Sequence, residues 1–416
     1  MIKVLEAFSG IGAQAKALER LNIEYDIIAT VDWDINAIIA YDLIHNGKQD
    51  LTPYLEMSKQ ELVGVLSKYT LSPDGKTPYK EGSLSRISIE VLRRLLCAIR
   101  RTKNLVSITD MTATDIPDDL DLLTYSFPCQ DLSIAGVWHG NTSGIDRDAH
   151  NRSGMLWEVE RILKECVEKK QNTPRFLLME NVSNIMAPRH MKNFQEWIDY
   201  LNNIGYYSKI YRLNASKFGI PQIRERVFMI SIHIGENTWK KRLLEEYFKD
   251  HDLENDKYVA TLPLERKRVQ DIIKNNYEIS DYQREARKSQ LHDTPSRRKI
   301  IEENDKVLQN GQFIDVLKTI TTKQDRNPNS GVIEYNNPCE GRAKWRYLTA
   351  RECFLAMGFD ECDYEVLAKN NFEVAQNRKL FSENKLIKMA GNSIVVNVLE
   401  AIFLQVIEIK ELLHDV

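Results

Sequence analysis

Four side chains in the sequence have types and positions that could carry out chemistry. Cys129 follows Pro128 in "SFPCQ", where an apolar run meets a polar loop, and Glu180 ends the apolar run of "LLMENV". A thiol at a loop start, near a helix N-terminus or a cation, is a strong nucleophile. A carboxyl that holds a proton can donate it to a ring nitrogen as a general acid. Arg224 and Arg226 alternate in "QIRERV", and the period of two predicts that they point the same way.

Each of these residues also has a plain structural interpretation. An isolated cysteine is more often a small buried residue than a nucleophile. Glu180 at a strand end is stable wherever it is exposed or paired. The arginines could form a surface salt-bridge ladder with Glu225. The remaining sequence has to decide between these interpretations.

A second group of residues lies where strand-to-helix turns bind ligands. "AFSGIGAQ" places Gly10 and Gly12 between the first strand and the first helix, where glycines let a ligand approach the backbone. "VDWD" ends the second strand with Asp32, a position where an acid commonly accepts hydrogen bonds from a ribose, and with Trp33, which could stack on an adenine. Asp110 follows the run "LVSIT". Three such positions in order indicate an adenosyl cofactor at the carboxyl edge of a sheet. Alternatively, the glycines only form a tight turn and Asp32 is a solvated loop acid.

The elements that must position these residues alternate between strand and helix. Strands are predicted at "IKVLEAF", "YDIIATV", "LVSIT", "LDLLTYSF", "RFLLME", "YSKIYRL" and "RVFMISIHI". Helices are predicted at "AQAKALERL", "INAIIAYDLIH", "GMLWEVERILKECVEKK" and "MKNFQEWIDYLNNIG". Repeated units of this kind predict an α/β fold with a parallel sheet covered on both faces.

Three regions depart from this alternation. The polar stretch 46–104 contains a capping box at Ser58 and Glu61 and the helical pattern "SIEVLRRLLCAIRR", which predicts a helical insertion on the surface. Beyond about residue 235 the chain is more polar and irregular, with basic clusters at 266–268, 284–288 and 297–299. The last stretch, "AGNSIVVNVLEAIFLQVIEIKELL", predicts a glycine turn followed by an apolar helix that packs beside the first strand.

The composition is that of a soluble globular chain. Of the 416 residues, 43% are hydrophobic and 28% are charged, and the net charge of −3 does not by itself indicate a nucleic-acid partner. Apolar runs are shorter than the roughly 18 residues that a membrane helix needs. The six cysteines are scattered without ligand spacing, which predicts neither a zinc site nor a disulfide framework. Apart from Cys129, they are expected only to fill space.

Taken together, the motifs resemble the DNA cytosine-5 methyltransferase family, of the bacterial restriction-modification type. The blocks that carry the resemblance cover most of the chain outside 46–104 and the variable recognition region. In the family's order they are "FSGIGA", "VDWD", "SFPCQDLS", "RSGMLWE", "MENV", "FGIPQIRERVF", "RYLTARECFLAMGF" and "AGNSIVVNVLEAI". "FPCQ" together with "ENV" and "QxRxR" is the most specific part of the match.

The resemblance implies a role for each catalytic candidate. Cys129 is expected to add as a thiolate to carbon 6 of a cytosine that is flipped out of duplex DNA. Glu180 is expected to contact the ring nitrogen and the exocyclic amino group. Arg226 is expected to touch the base carbonyl, with Arg224 supporting the site. The implied reaction transfers a methyl group to carbon 5 of the cytosine, within a short specific sequence.

The resemblance also implies the cofactor and the DNA contacts. S-adenosyl-L-methionine is the implied methyl donor, S-adenosyl-L-homocysteine is its product, and no metal is involved. The implied cofactor residues are Phe8, Gly10, Ile11, Gly12, Asp32, Trp33, Asp110, Met111, Pro128, Asn392 and Ser393. The expected DNA contacts are Gln130, Ser133, Arg284, Arg287, Arg297, Arg298, Thr321 and Thr322. Because acids such as Glu285 and Asp293 interleave the basic clusters, a solvated face remains the alternative for them.

The resulting fold prediction is an α/β, Rossmann-like S-adenosylmethionine-dependent methyltransferase with a mixed sheet and a second, smaller target-recognition domain. The catalytic domain is predicted at 1–250 plus 380–416, with the helical insertion at 46–104, and the recognition domain and hinge at 251–379. The protein is expected to be a cytoplasmic monomer that meets the nucleoid through double-stranded DNA and contacts no membrane. A cognate restriction endonuclease acting on the same site is one expected partner, and a solitary methylase is the other interpretation.

Three other interpretations compete with that of a DNA methyltransferase. The tRNA-methylating branch of the family carries a "CFT" tripeptide in its recognition region, and residues 230–345 contain none. A binding protein that had lost catalysis would be expected to lack the cysteine, the "ENV" acid or the glycines. A different thiol enzyme would need a histidine base near Cys129, and His139 and His150 lie in a polar loop that matches no such pattern.

Overall fold

The chain forms two compact units in the computed structural model, which describes residues 1–128, 145, 152–325 and 327–414. Unit 1 comprises Met1–Leu213, Glu225–Leu262 and Glu400–Val416. Unit 2 comprises Asn214–Arg224 and Pro263–Leu399. The chain therefore enters unit 2 at Asn214 and returns to unit 1 within the "QIRERV" stretch, between Arg224 and Glu225.

Unit 1 is built on a six-stranded mixed sheet with the order β2-β1-β3-β4-β7-β5. Strand β1 pairs in parallel with β2 and β3, β3 pairs in parallel with β4, and β4 pairs antiparallel with β7. The strands are β1 Ile2–Ala7, β2 Tyr25–Val31, β3 Leu122–Tyr125, β4 Phe176–Val182, β5 Tyr206–Asn214 and β7 Glu225–His233. The antiparallel β7 makes the sheet mixed, as the fold prediction requires.

Helices connect these strands, and several begin where the sequence supplies a start signal. Asp34 caps α2 through a hydrogen bond to the backbone N–H of Asn36, and Ser58 and Glu61 form the capping box of α3 that the sequence predicted. The unit 1 helices are α1 Ala13–Arg20, α2 Ile35–Asn46, α3 Lys59–Leu66, α4 Ile89–Arg101, α5 Leu156–Glu168, α6 Pro188–Asn203, α7 Thr238–Asp250 and α8 Asp256–Thr261. The apolar faces of α5 and α6 are buried in the same hydrophobic cluster as the inner residues of β1, β3 and β4.

Unit 2 combines small sheets with short helices. A five-stranded sheet has the order β10-β9-β12-β13-β8, and two further sheets pair β11 with β6 and β14 with β15. The strands are β6 Gln222–Ile223, β8 Gln290–His292, β9 Lys306–Gln309, β10 Gln312–Phe313, β11 Leu317–Lys318, β12 Val332–Glu334, β13 Arg342–Arg346, β14 Glu373–Ala375 and β15 Arg378–Lys379. The helices are α9 Val269–Ile272, α10 Ser280–Lys288, α11 Pro295–Glu303, α12 Ala350–Ala356, α13 Glu361–Lys369 and α14 Glu383–Asn392. The last helix, α15 Val396–His414, begins in unit 2 and continues in unit 1.

Two sequence predictions are wrong in their details near the amino-terminal half of the sheet. "LVSIT" is not a strand: an isolated bridge joins the preceding Asn104 to Thr30, and the chain turns from residue 108. The 46–104 stretch does contain helices, but α4 is not a surface element. Its residues Val91, Leu92, Leu95, Leu96, Cys97, Ala98 and Ile99 are buried, and it packs against α2.

The carboxyl-terminal prediction is correct in outline. The glycine turn is misplaced, because Gly391 lies inside α14 and the turn runs from Ser393 to Val395. The return of the last helix to the first strand is confirmed, because Lys410 donates to the carbonyl of Met1 at 3.1 Å. Glu383–His414 is long and apolar enough to cross a membrane by composition alone, but 78% of its most apolar window is buried, as in the core helix of a soluble protein.

The cysteines differ from expectation in one respect. Cys97, Cys166 and Cys353 are buried and fill core space, whereas Cys339 and Cys362 are exposed. All five are free thiols. Cys129 lies outside the described residues.

Candidate active site

Glu180 and Arg226 meet at the carboxyl end of β4. Antiparallel pairing sets Arg226 opposite Val182, so Arg226 is a diagonal neighbour of Glu180 across the two strands. Arg226 Nε lies 3.3 Å from Glu180 Oε1, and their side chains are 18% and 10% exposed. The other carboxylate oxygen, Oε2, accepts a hydrogen bond from Ser126 Oγ at 2.8 Å. Each oxygen of Glu180 therefore has a donor that fixes the orientation of the carboxylate.

The segment that leads to Cys129 is tied to the same strand. Asn181 is buried, and its Nδ2 donates to the carbonyl of Phe127 at 3.1 Å. The two residues after β3, Ser126 and Phe127, are thus held by consecutive residues of β4. Cys129, Gln130 and Ser133 themselves lie outside the described residues, and Pro128 is half-buried at the edge of the described part.

Arg224 has different surroundings from Arg226. It is 4% exposed, and it lies in unit 2, whereas Arg226 lies in unit 1. Its guanidinium donates to the carbonyls of Ile320 at 3.0 Å, Gly391 at 3.0 Å and Ser393 at 2.9 Å. The Gly391 and Ser393 carbonyls belong to the last turn and C-cap of α14, where backbone oxygens lack helical partners and favour a cation. The contacts of Arg224 are thus structural ones to the backbone of unit 2.

The glycine loop after β1 has an unusual backbone. Phe8 has a φ of 57° and Gly10 a φ of 56°, in the left-handed region that non-glycine residues avoid. Such residues collect at ligand sites, where the surroundings hold them in place. The N–H of Gly10 donates to Asp32 Oδ2 at 2.9 Å, and a Cβ built on Gly10 would meet nothing within 4 Å. Gly10 therefore leaves open space beside the backbone.

Gly12 serves packing instead. A Cβ there would lie 2.1 Å from His45 Nε2 and 2.6 Å from a ring carbon of Tyr41, and the φ of 77° also favours glycine. His45 Nε2 donates to the carbonyl of Ile11 at 3.0 Å, and burial lowers the pKa of His45 to about 4. The Ile11 side chain is buried.

Beneath this loop lies a buried carboxyl that the sequence did not single out. Glu6 of β1 is fully buried, and burial raises its pKa to about 7, although the nearby Tyr41 hydroxyl and the backbone of Ala15 lower the pKa in part. Tyr41 is itself buried, and burial raises its pKa well above the usual value. Burial therefore favours the protonated form of Glu6, and its neighbours oppose this only in part.

The other cofactor candidates lie at several places. Trp33 and Ser393 are half-buried, Asn392 and Asp110 are exposed, and the Met111 side chain is buried. Asp110 follows a turn rather than a strand, and its Oδ2 accepts from Thr70 Oγ1 at 3.0 Å. Asp32, Trp33, Asp110 and Met111 belong to unit 1, and Asn392 and Ser393 belong to unit 2.

The expected DNA residues are partly engaged within unit 2. Arg284 pairs with Asp281 at 2.6 Å, and Arg298 pairs with Asp293 at 2.7 Å. Arg297 donates to the carbonyl of Asp325, and Thr321 Oγ1 donates to the carbonyl of Lys323 at 2.8 Å. Arg287 and Thr322 are exposed. Exposed ion pairs are weak, so the pairs of Arg284 and Arg298 leave both guanidiniums available to phosphate.

Several side chains that shape the site were missed by sequence reasoning. Ser126, Asn181, Thr70 and Asn104 each hold a candidate residue or its neighbour through a hydrogen bond. Asn181 follows Glu180 directly in "MENV", and this adjacency was the sequence signal that could have indicated its role. In the described part of the chain, no group of three or more histidine, cysteine or acidic side chains could hold a metal ion.

The chain is similar in sequence to known proteins. The family of C-5 cytosine-specific DNA methylases matches residues 90–408. The chain is 32% identical to the orphan methyltransferase M.SssI of Spiroplasma monobiae, over 96% of both chains. It is also 32% identical to the type II methyltransferase M2.ScrFI of Lactococcus lactis subsp. cremoris, over 97% of this chain and 98% of that one.

Solved structures share the fold at lower identity. The S. pombe Dnmt2 methyltransferase has a TM-score of 0.59 and 19% identity, covering 98% of this chain and 99% of that one. The Entamoeba histolytica methyltransferase EhMeth has a TM-score of 0.53 and 16% identity, with 98% of both chains covered. The family match spans well over half of the chain, and the sequence similarity to both bacterial enzymes is nearly full-length. The chain belongs to the C-5 cytosine-specific DNA methylase family and is a cytosine-5 DNA methyltransferase.

Proposed function

We propose that this enzyme methylates carbon 5 of a cytosine that it flips out of a short specific duplex sequence, through a covalent bond to Cys129. The observation that carries the proposal is the doubly held carboxylate of Glu180, beside the segment that leads to Cys129. Ser126 and Arg226 orient its two oxygens, and Asn181 holds the carbonyl of Phe127. Glu180 can donate a proton to an aromatic ring while Cys129 adds to it, and the two residues follow or end neighbouring strands in the sequence.

The chain's own residues would work in the following way. The sulfur of Cys129 forms a bond to carbon 6, the electrons of the carbon 5–carbon 6 double bond move toward carbon 5, and the ring nitrogen takes up a proton at Glu180. Arg226 would bind the base carbonyl. After methylation a base removes the proton on carbon 5, the electrons re-form the carbon 5–carbon 6 double bond, the sulfur leaves as a thiolate, and the proton on the ring nitrogen returns to Glu180. Because carbon 6 is covered in the base stack, the cytosine must first be flipped.

The residues near β1 and β2 fit S-adenosyl-L-methionine. The open space at Gly10 and the left-handed backbone at Phe8 and Gly10 let a ligand approach the main chain. The oxygens of Asp32 accept from the N–H groups of Gly10 and Asp34, and a carboxylate retains lone pairs for ribose hydroxyls. Trp33 is half-buried, with ring surface left for an adenine. When bound, the cofactor supplies an electrophilic methyl group, and S-adenosyl-L-homocysteine is the product.

The parts of Asn392, Ser393, Met111, Ile11 and Pro128 in cofactor binding rest on the resemblance. So do the DNA contacts of Gln130 and Ser133 and those of the unit 2 residues. We propose that Arg284, Arg287, Arg297 and Arg298 contact phosphates, and that Thr321 and Thr322 lie at the DNA. We also propose that the enzyme works as a monomer on cytoplasmic DNA, either with a cognate endonuclease or alone.

Mapping of 5-methylcytosine tests this function. The protein is expressed in a host without cytosine methylation, and the host genome is sequenced after bisulfite treatment. We expect methylation at one short motif with the wild type and none with Cys129→Ser. A soluble protein that binds S-adenosyl-L-homocysteine but leaves the genome unmethylated would contradict the proposal and would direct the search to RNA.

A further inference from the structure

The role of the 46–104 segment follows from three contacts that it makes in unit 1. Asn104, at its end, is 5% exposed. Its side-chain oxygen accepts from the N–H of Asp32 at 3.3 Å and from the N–H of Val106 at 2.7 Å. The N–H of Leu105 donates to Thr30 at 2.9 Å. This end of the segment therefore binds the backbone on which Asp32 sits.

The middle of the segment holds the other side of the same turn. The N–H of Ser72 donates to the carbonyl of Trp33 at 2.7 Å, and the carbonyl of Ser72 accepts from the N–H of Ile35 at 3.0 Å. Asn36 Nδ2 also donates to the carbonyl of Pro73 at 3.0 Å. Residues 33–35 are thus paired with Ser72 in the manner of a short parallel bridge.

The third contact reaches the neighbouring acid. Thr70 Oγ1 donates to Asp110 Oδ2 at 3.0 Å. A hydrogen bond from a hydroxyl to a charged carboxylate is among the stronger ones and fixes the rotation of the carboxylate. Thr70 is only two residues from Ser72, so one short stretch contacts both Trp33 and Asp110.

The charge of the turn at Asp32 and of the residues that hold it indicates the kind of ligand that the turn would bind. Four carboxylates, those of Asp32, Asp34, Asp74 and Asp110, lie on the turn and on the residues that hold it. Carboxylates accept hydrogen bonds from hydroxyl and amino groups and repel phosphates. This pattern suits a ribose and an adenine amino group and does not suit the DNA backbone.

We propose that the 46–104 segment is a wall of the cofactor site, in which Thr70, Ser72 and Asn104 position Asp32, Trp33 and Asp110 for the adenosine part of the ligand. The inference rests on the proposed cofactor role of those three residues. A turn that is held before binding loses less conformational entropy when the ligand arrives. Because Asp32 also accepts from the N–H of Gly10, the same contacts extend to the glycine loop.

The test measures binding, with full-length protein and S-adenosyl-L-homocysteine in a calorimeter. Thr70→Val removes the donor to Asp110 and keeps the shape of the side chain. We expect the Kd for S-adenosyl-L-homocysteine to rise about tenfold, because the variant lacks one hydrogen bond to a carboxylate. Thr70→Ser keeps the hydroxyl and should restore binding to within about twofold. Asn104→Ala should weaken binding by a similar factor.

Thr77→Val is the matched control, because Thr77 is an exposed threonine of the same stretch whose backbone N–H, bonded to Asp74, is kept in the variant. Sheared chromosomal DNA from the methylation-free host is the second probe, without cofactor. All variants should bind it within about twofold of the wild type. Unchanged S-adenosyl-L-homocysteine affinity in Thr70→Val, or weakened DNA binding alone, would overturn the inference. A wild type that binds no S-adenosyl-L-homocysteine would refute the proposed cofactor and the wall with it.

Discussion

Arg224 and Arg226 are two residues apart and have opposite surroundings. Arg226 is partly exposed and pairs with the carboxylate of Glu180 in unit 1. Arg224 is buried in unit 2 and donates to three backbone carbonyls. One arginine therefore pairs with the side chain that we propose as the general acid, and the other donates to the carbonyls of a helix end and a loop.

The comparison teaches that residue type and spacing do not determine a role by themselves. The chain crosses from unit 2 to unit 1 between Arg224 and Glu225, and the two guanidiniums have different partners, a carboxylate for Arg226 and backbone carbonyls for Arg224. What each arginine does is decided by the groups packed around it. Substitutions at the two positions should accordingly separate catalysis from stability.

The largest effect is expected at the pair in unit 1. Arg226→Met and Glu180→Gln should each lower the rate of methyl transfer by on the order of 10²- to 10³-fold, the usual loss for a general acid or a charge-stabilising group. The free energy of unfolding should fall by about 2 kcal/mol, because each variant removes one charged partner from a pair whose side chains are 18% and 10% exposed. Single-turnover kinetics and urea denaturation measure the two quantities. A rate within tenfold of the wild type in either variant would remove that residue from the mechanism.

The matching variant in unit 2 is Arg224→Met. It leaves the carbonyls of Ile320, Gly391 and Ser393 without their buried charged donor, so the free energy of unfolding should fall by about 3 to 4 kcal/mol. Arg224→Lys, which keeps one charged donor, should lose less. Arg86→Lys, on an exposed arginine, is the control. An Arg224→Met variant as stable as the wild type but inactive would assign Arg224 to catalysis instead.

Carboxyls offer the same contrast, between Glu180 beside an arginine and Glu6 in the core. Burial raises the pKa of Glu6 from about 4.5 to about 7, so the folded state binds a proton that the unfolded state releases between these pH values. Stability from this group is complete below pH about 4.5 and is lost as pH rises through about 7. The loss amounts to about 3 kcal/mol. Glu6→Gln should abolish this dependence, as measured by urea denaturation between pH 4.5 and pH 8, and a slope equal to that of the wild type would contradict it.

The smallest effect is expected at Ser126, which orients Glu180 without touching substrate. Ser126→Ala should lower kcat by about tenfold, because it removes one hydrogen bond to the carboxyl of Glu180. KM for DNA should stay within about twofold of the wild type. Ser126→Thr should restore most of the rate because it keeps the hydroxyl. Equal losses in the two variants would indicate that packing, and not the hydrogen bond, matters at this position.

The sequence predicted the elements that local periodicity specifies. Six of the seven strands and the helices that connect them were placed correctly, because strand and helix patterns differ within a single window. "LVSIT" was misjudged because a short apolar run looks the same in a strand and in a buried turn. The burial of α4 depends on α2, which lies far from it in the chain, so no local pattern could reveal it.

Within the candidate site, the residues that belong to recognisable sequence motifs could be predicted. Glu180 and Arg226 were named from their positions at strand ends, and their contact is present. The residues that hold them were not found, because Ser126 is 54 residues from Glu180 and Asn104 is 72 residues from Asp32. Contacts between distant residues depend on how the elements pack, and one sequence contains no direct record of that. The carbonyl acceptors of Arg224 were not predicted for the same reason, since they lie 96 to 169 residues away.

Covalent attack by Cys129 is the central claim, and a trapped adduct tests it most directly. Duplex DNA copied with 5-fluoro-2′-deoxycytidine triphosphate carries fluorine on carbon 5 of every new cytosine, where it cannot be removed as a proton in the elimination step. Incubation with the enzyme and S-adenosyl-L-methionine, followed by digestion and mass spectrometry, should yield a nucleotide bonded to the peptide that contains Cys129. Cys129→Ser should yield none. Methylation of ordinary DNA without any adduct at Cys129 would contradict the account.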